Sequence, residues 1–222
     1  MRHFAEELEA LKQALLEMGA LVESSIHTSV QAFIQHDDRL ARRVMEDEAL
    51  VNKMELDLDA RVTRLLALNQ PVAGDLRLLV MCLKINTDLE RMGDLAMSVA
   101  ERAISLNKLN APLGESLIDM PRMAAIVEDM LHRTLDAFVN RDADLASKIL
   151  PTDDEVDSIR DGVYNQMIAT MRRDPSLVDA AVHLMFIARN LERIADHTTN
   201  IAEDVIYLVR GVDVRHHAAE EI

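Results

Sequence analysis

The chain contains no tryptophan and few other aromatic residues, and glycine and proline are scarce as well. Aromatics make up 3% of its 222 residues, and there are 6 Gly and 5 Pro. Strands favour aromatic and β-branched residues, whereas helices favour Leu, Ala, Met, Glu and Arg. Because 49% of the chain is nonetheless hydrophobic, a sizeable core can be buried. The composition therefore predicts an all-α protein.

Cysteine and long apolar runs are also lacking. Cys82 is the single cysteine, so no disulfide can form within the chain, which fits a reducing compartment. It lies in the apolar run LLVMCL, which favours buried packing over catalysis. The first ten residues, MRHFAEELEA, are too acidic for a signal peptide, and no apolar run approaches the ~18 residues of a transmembrane helix. We expect a cytoplasmic protein without membrane insertion.

Positive charge is in deficit. The sequence has 24 Lys and Arg against 39 Asp and Glu, a formal net charge of -15. Nucleic-acid binding requires clustered positive charge, and so does docking on anionic lipid. The charge therefore argues against both partners and suits a basic protein partner or bound cations.

Apolar periodicity and helix breakers divide the chain into six helical segments. They run from about Phe4 to Gln35, Asp38 to Leu68, Val72 to Leu106, Leu117 to Asn140, Asp142 to Arg173, and from beyond Pro175 to about Arg210. Spacings of three and four predict one apolar face on the first helix, from Leu8 to Phe33, and an apolar seam on the last, from Leu184 to Val209. Proline ends the second and the fifth segment because it cannot continue a helix interior. Within the fifth segment, Pro151 predicts an interruption, and the sequence TDDE that follows predicts a capping box at Thr152.

The two halves of the sequence resemble each other. DLERMGDLAMSVAERAISL, from Asp88, matches NLERIADHTTNIAEDVIYL, from Asn190, at an offset of 102 positions. The stretch that begins at Glu48 matches the one at Asp153 at an offset of 105. This repeat predicts two tandem, pseudo-symmetric antiparallel three-helix bundles. We place them at residues 1–110 and 111–212, with a mobile C-terminal tail at 213–222.

Carboxylates recur at matching positions of the two halves. Four pairs, each four residues apart, lie on the second and third helix of each half: Glu48 and Asn52, Glu90 and Asp94, Asp153 and Asp157, and Glu192 and Asp196. Because four residues make about one turn, both members of a pair point the same way, and like charges repel in the three pairs made of two carboxylates. Bound Mg²⁺, Mn²⁺, Ca²⁺ or iron would offset the repulsion, since these cations prefer hard oxygen donors.

A simpler interpretation is a solvated acidic face whose charge is balanced by Arg91 and Arg193. His197, beside Asp196, is either a further ligand or an ordinary surface histidine. No Glu-x-x-His pattern of di-iron proteins, no phosphate-cradling glycine loop and no recognisable nucleophile motif occurs. Nothing in the sequence requires an enzyme.

The phrases DLERMGD and NLERIADHTTNIAED, with ALVNKMELDLD and EVDSIRD upstream, resemble the signature of the PhoU family over nearly the whole chain. The resemblance implies two similar three-helix bundles side by side. It implies negative regulation of the phosphate-starvation response and restraint of phosphate uptake. Its expected partners are the ATPase subunit of a phosphate ABC transporter and a phosphate-sensing histidine kinase, reached at the inner membrane, and we expect a homodimer.

Some members of the family bind multinuclear iron, zinc or other metal clusters through such acidic pairs, which would make the eight paired residues above the ligands. Asn52 replaces the carboxylate found at Asp157, and Ser98 replaces Asn200, so oxygen counts alone favour metal in the second half. The alternative is a metal-binding helical bundle, for storage or hydrolysis, unrelated to phosphate signalling; a purely structural scaffold is the third possibility.

Overall fold

The computed structural model describes residues 2–111 and 119–214, and within these ranges every regular element is helical. The α-helices are α1 (Arg2–Ile34), α2 (Asp38–Asn69), α3 (Ala73–Leu109), α4 (Met120–Asn140), α5 (Ala143–Ile149), α6 (Asp153–Arg173) and α7 (Val178–Arg210). The all-α prediction is confirmed. The predicted start of the fourth helix at Leu117, most of the boundary segment and the tail beyond 214 lie outside the described residues.

Aspartates begin three of the helical segments. Oδ1 of Asp37 accepts a hydrogen bond from the backbone N–H of Arg39 at 2.9 Å, and Oδ1 of Asp142 accepts one from Leu145 at 2.9 Å. Asp174 does the same for the short 3₁₀ turn that precedes α7. Such side chains satisfy amide groups that have no partner inside the helix.

The fifth predicted helix is interrupted at Pro151, as expected, because Leu150–Thr152 form a 3₁₀ turn between α5 and α6. The capping box predicted at Thr152 is wrong. Thr152 has a helical backbone, and its side chain makes no capping hydrogen bond. The N–H of Asp153 already bonds to the carbonyl of Leu150. The helical path thus continues through the turn, and α6 has no free N-terminus for Thr152 to cap.

The predicted apolar face of α1 is buried along its whole length. It comprises Leu8, Leu11, Leu15, Met18, Val22, Ile26, Val30 and Phe33. The seam predicted for the last helix is buried from Leu184 to Val205, but Val209 is 39% exposed because it lies in the final turn. Cys82 is buried too, and burial raises the pKa of its thiol to about 12, which confirms a packing role.

Helices α3 and α7 lie at the centre and pack against each other more extensively than any other pair. Helix α2 packs on α3 and helix α6 packs on α7, so that α2, α3, α7 and α6 lie side by side. Helix α1 contacts α2 and α3 and also reaches α4, which rests on α7. The two halves therefore meet at two interfaces, between α3 and α7 and between α1 and α4.

The α1–α4 interface extends the internal repeat. At an offset of 105 positions, His27 and Glu23 of α1 correspond to His132 and Glu128 of α4. Nδ1 of His27 lies 3.1 Å from Glu128, and Nδ1 of His132 lies 3.5 Å from Glu23. The two contacts are equivalent in the repeat: each joins a histidine of one half to a glutamate of the other. The duplication therefore includes the first helix of each half, where the sequence match is weak.

Candidate functional site

The four acidic residues predicted in the second half lie close together across the groove between α6 and α7. Burial raises the pKa of Asp153 to about 6, and repulsion from Asp196, Asp157 and Glu192 adds to that rise. The pKa of Glu192 is also raised, first by burial and then by Asp196. Such mutual effects arise only between carboxylates in proximity. The structure therefore brings the predicted second-half set together.

Arg160 of α6 lies inside this cluster. Its Nη1 is 2.8 Å from Oδ1 of Asp157 and donates a short hydrogen bond to Oε1 of Glu192, while Nη2 contacts Asp161 at 2.9 Å. The guanidinium is largely enclosed, with 21% of the side chain exposed. Arg160 lowers the pKa of both Glu192 and Asp196 and so partly neutralises the cluster. From the sequence, Arg91 and Arg193 were expected to balance the carboxylates, and Arg160 was not predicted.

The groove remains open to solvent beside the cluster. A cleft of about 540 Å³ is lined by Arg160, Glu192, Arg193 and Asp196, with others. Asp196 is solvent-exposed, yet its pKa is raised, by partial burial first and then by Asp157. Arg193 acts in the opposite direction on Asp196, which agrees with its predicted balancing role.

Substituting Asp153 with Asn is expected to stabilise the cation-free protein at neutral pH. The carboxyl pKa rises from 3.8 to about 6 on folding, so the folded state holds the proton more tightly. The stability that the protonated Asp153 carboxyl adds to the folded state is fully present below about pH 4 and is lost as pH rises through about 6. Urea denaturation in EDTA should show the variant and the wild type alike at pH 4, and the variant more stable above pH 6.

Asp57→Asn, at an exposed position of α2 outside the second-half cluster, is the control and should leave the urea midpoint nearly unchanged. Equal midpoints of the Asp153 variant and wild type at pH 7 would contradict the assigned desolvation of Asp153.

The first-half set also lies in one groove, between α2 and α3. Burial raises the pKa of Glu90, and repulsion from Asp94, Glu55 and Glu48 contributes. The amide of Asn52 donates a short hydrogen bond to Oε1 of Glu48. Within the described ranges no ion pair neutralises these carboxylates, although Arg91 lowers the pKa of Glu90.

The two grooves differ at one decisive position. An offset of 105 aligns Arg160 with Glu55, because the buried Val156 and Val163 of α6 then match the buried Val51 and Leu58 of α2. The second-half groove therefore contains its own cation where the first-half groove has another carboxylate. The alignment of the two halves already contained this difference. A comparison of the numbers of oxygen ligands in the halves does not reveal it, because Arg160 is not a ligand.

His197 lies close enough to Asp196 to lower its pKa, but its side chain pairs with a residue of α3 outside the carboxylate cluster. Its Nδ1 lies 2.9 Å from Oδ1 of Asp88 on α3, and the two side chains are 13% and 11% exposed. At the same interface, the amide of Asn190 donates to Oγ of Ser98 at 2.9 Å. Since Asn190 is the repeat counterpart of Asp88, these polar contacts align the two halves across α3 and α7.

The residues fit a hard divalent cation by donor type. Two buried oxygens, Oδ1 of Asn52 and Oδ1 of Asp153, have no hydrogen-bond partner, and each lies at a predicted ligand position. Amide and carboxylate oxygens are suitable donors. In the described part of the chain, however, no group of three or more His, Cys, Asp or Glu side chains is arranged to hold a metal ion.

No helix in residues 2–111 or 119–214 is long and apolar enough to cross a membrane. The fold and grooves together define a class: a duplicated three-helix protein with an acidic groove in each half.

Comparison with known proteins narrows this class to a family. The model of the PhoU domain matches residues 15–103 and 120–205, one match in each half. The chain is 41% identical to the phosphate-specific transport system accessory protein PhoU homolog of Pseudomonas aeruginosa over 216 residues, 97% of this chain and 88% of the relative. It is 34% identical to the corresponding PhoU protein of Escherichia coli K12, covering 99% of this chain and 90% of that one. The chain belongs to the PhoU family.

Solved structures agree. A crystal structure of PhoU from Pseudomonas aeruginosa superposes with a TM-score of 0.91 at 39% identity, covering 94% of this chain and all of that one (100%). The phosphate transport system regulatory protein PhoU from Streptococcus pneumoniae superposes with a TM-score of 0.88 at 29% identity, covering 95% and 99%. The expected tandem-bundle architecture is therefore shared with both relatives.

Proposed function

We propose that this chain is an accessory regulator of phosphate transport that restrains phosphate uptake and represses the phosphate-starvation response. The observation that carries the proposal is the match of both halves, in order, to relatives named as accessory or regulatory proteins of phosphate transport. These names describe regulation and no reaction, and the grooves contain no nucleophile motif. We therefore propose a non-enzymatic role.

The proposed mechanism is that of an adaptor between two membrane-associated partners. One is the ATPase subunit of a phosphate ABC transporter and the other is a phosphate-sensing histidine kinase. The chain would act in the cytoplasm, held at the inner membrane by these partners, and as a homodimer. Long packed helices suit such a role because they present extended side-chain surfaces on a rigid core.

Reversing the charge of the second-half groove is expected to weaken binding to the transporter ATPase. Glu192→Lys combined with Asp196→Lys changes the groove by four charges and should reduce affinity at least tenfold, because charged groups steer and orient protein contacts. Isothermal titration calorimetry with the purified ATPase subunit measures this affinity.

The matched control is Glu17→Lys with Asp136→Lys, which makes the same change in net charge on exposed positions of α1 and α4. Equal weakening by both variants would show a general charge effect and no role for the groove. Unchanged binding by the groove variant, with intact folding, would remove the groove from the ATPase contact.

We also propose that the eight paired residues hold metal: multinuclear iron, zinc or another divalent metal. These are Glu48, Asn52, Glu90, Asp94, Asp153, Asp157, Glu192 and Asp196. When bound, the metal would neutralise the carboxylates and cross-link α2 to α3 and α6 to α7. The unpartnered oxygens of Asn52 and Asp153 support the proposal.

Elemental analysis after exposure to iron, zinc and manganese is expected to show less metal in the Asp153, Asp157, Glu192, Asp196 alanine variant than in wild type. Because Arg160 already neutralises part of the second-half set, we expect Asp94→Ala to remove at least as much metal as Asp196→Ala. A larger loss from Asp196→Ala would favour the order given by oxygen counts. Absence of metal in every protein would leave the grooves as partner surfaces only.

A further inference from the structure

The second half carries an apolar cleft beside its acidic groove. Tyr164 of α6 and Val182, Met185 and Phe186 of α7 line a cleft of about 300 Å³. Phe186 is 40% exposed and Val182 is 38% exposed. Single exposed apolar side chains are ordinary, but apolar side chains gathered around one concavity typically mark an interaction site.

Positive charge borders this cleft. The guanidinium carbon of Arg102 lies 4.6 Å from the centroid of the Phe186 ring, in a cation–π contact. Arg189 lines the same cleft and is exposed. Within the described ranges, neither arginine forms an ion pair with a carboxylate. Although the chain has a net charge of -15, these two arginines beside an apolar cleft make this part of the surface locally positive.

The first half has a polar cleft of about 280 Å³ at the equivalent place, lined by Lys84 and Asp204, with others. An offset of 102 aligns Phe186 with Lys84 and Arg102 with Asp204. Nζ of Lys84 bonds to Oδ1 of Asp204 at 2.8 Å, so an ion pair stands at the place of the exposed ring. The scaffold therefore needs neither the aromatic side chain nor the arginine at this place.

Tyr164 and Arg189 differ in the same direction, whereas Val182 and Met185 match the apolar Val80 and Leu83. At the offset of 105, Tyr164 corresponds to Asp59, and at 102, Arg189 corresponds to Thr87. The four contributors that differ are thus replaced by polar or oppositely charged residues at the equivalent place. The concavity is common to both halves, but its apolar ring and this pair of arginines occur only at the second-half cleft, and the shared scaffold does not require them.

We infer that this cleft is a docking site for an acidic amphipathic segment of a partner protein. An aliphatic or aromatic side chain of the partner would enter between Tyr164 and Phe186, and its carboxylates would pair with Arg102 and Arg189. The chain has a net charge of -15, and the neighbouring groove, which Arg189 also lines, contains Glu192 and Asp196. An acidic segment is repelled by that groove, whereas Arg102 and Arg189 match its charge at the cleft. The inference rests on the proposed adaptor role, which requires a partner of this kind.

The decisive variant copies the first half into the second. Phe186→Lys with Arg102→Asp installs the Lys84–Asp204 ion pair at a place where the scaffold accepts it, and Arg189→Thr removes the remaining charge. Arg189→Glu alone is a second variant, since this exposed side chain contributes no packing to the core. Thermal melts followed by circular dichroism check that both variants fold.

The probe is a fluorescein-labelled synthetic helix with glutamate on one face and leucine and phenylalanine on the other. Wild type is expected to bind it at least tenfold more tightly than the same peptide with lysine for glutamate. Both variants should lose at least tenfold in affinity for the acidic peptide. Equal affinity for the two peptides, or unchanged binding by the folded variants, would overturn the inference.

Binding of the purified transporter ATPase and of the kinase cytoplasmic domain separates this inference from the adaptor proposal. If wild type binds one of them and the triple variant binds it equally well, the docking site is wrong while the adaptor role stands. If wild type binds neither but binds the acidic peptide, the adaptor role fails and the cleft stands. A wild-type dimer that becomes monomeric in the triple variant would identify a second copy as the occupant and overturn the assignment to a partner protein.

Discussion

Arg160→Gln is expected to lower the free energy of unfolding of the cation-free protein by about 1.5–3 kcal/mol, the range for hydrogen bonds to charged groups. The guanidinium contacts Asp157, Glu192 and Asp161, and only 21% of the side chain is exposed. Removing it leaves carboxylates that already repel one another without their cation. Urea denaturation at neutral pH in EDTA measures the loss.

Arg43→Gln is the matched control, because Arg43 is 68% exposed and its nearest carboxylate, Asp47, is 3.9 Å away. Such a surface pair should contribute less than about 1 kcal/mol. Adding zinc or manganese should raise the free energy of unfolding of the Arg160 variant more than that of wild type. A cation that binds only the folded state stabilises it by mass action. Equal, small losses in both variants would show that Arg160 does not hold the cluster together.

Gly19→Val is expected to destabilise the protein by about 1–3 kcal/mol, as overpacking of a filled interface does. Gly19 lies on α1 where that helix meets α4, and a Cβ added there would be 2.6 Å from Cδ1 of Leu135. Leu135 is itself buried, so its side chain must shift against its neighbours to make room. The added side chain should therefore separate α1 from α4, which thermal denaturation would detect as a lower midpoint.

Gly162→Ala is the control in the opposite direction. No heavy atom lies within 4 Å of a Cβ added at this position inside α6. Alanine in a helix interior is favoured over glycine by about 0.5–1 kcal/mol, so this variant should be more stable than wild type. A Gly19 variant as stable as wild type would mean that the α1–α4 interface is loosely packed.

The sequence predicted most of the described helix ends to within a few residues. The α1 face from Leu8 to Phe33 was predicted from its three-and-four spacing alone, and all of it is buried. Such patterns are local, because side chains one turn apart lie on one face in any helix. The misassigned cap at Thr152 shows the limit, since the hydrogen bonding of the preceding 3₁₀ turn decided the outcome there.

The candidate grooves were predicted in part. Spacing placed Glu192 and Asp196 on one face of α7, and the internal repeat indicated which residues of α6 would stand opposite. It did not indicate that Arg160 would reach across to Glu192, because that contact joins residues 32 positions apart on different helices. Nor did it indicate the pairing of His197 with Asp88, 109 positions away.

By itself, then, the sequence determined the all-helical composition, the faces of each helix and the duplication, since each follows from spacing along one chain. Only the tertiary structure decided which charges are neutralised. Helix packing sets Arg160 among the second-half carboxylates, leaves Glu55 among those of the first half, and places Arg102 over an exposed Phe186 where the other half has an ion pair. The energies of these contacts depend on distance and burial, and both arise only when separate helices meet.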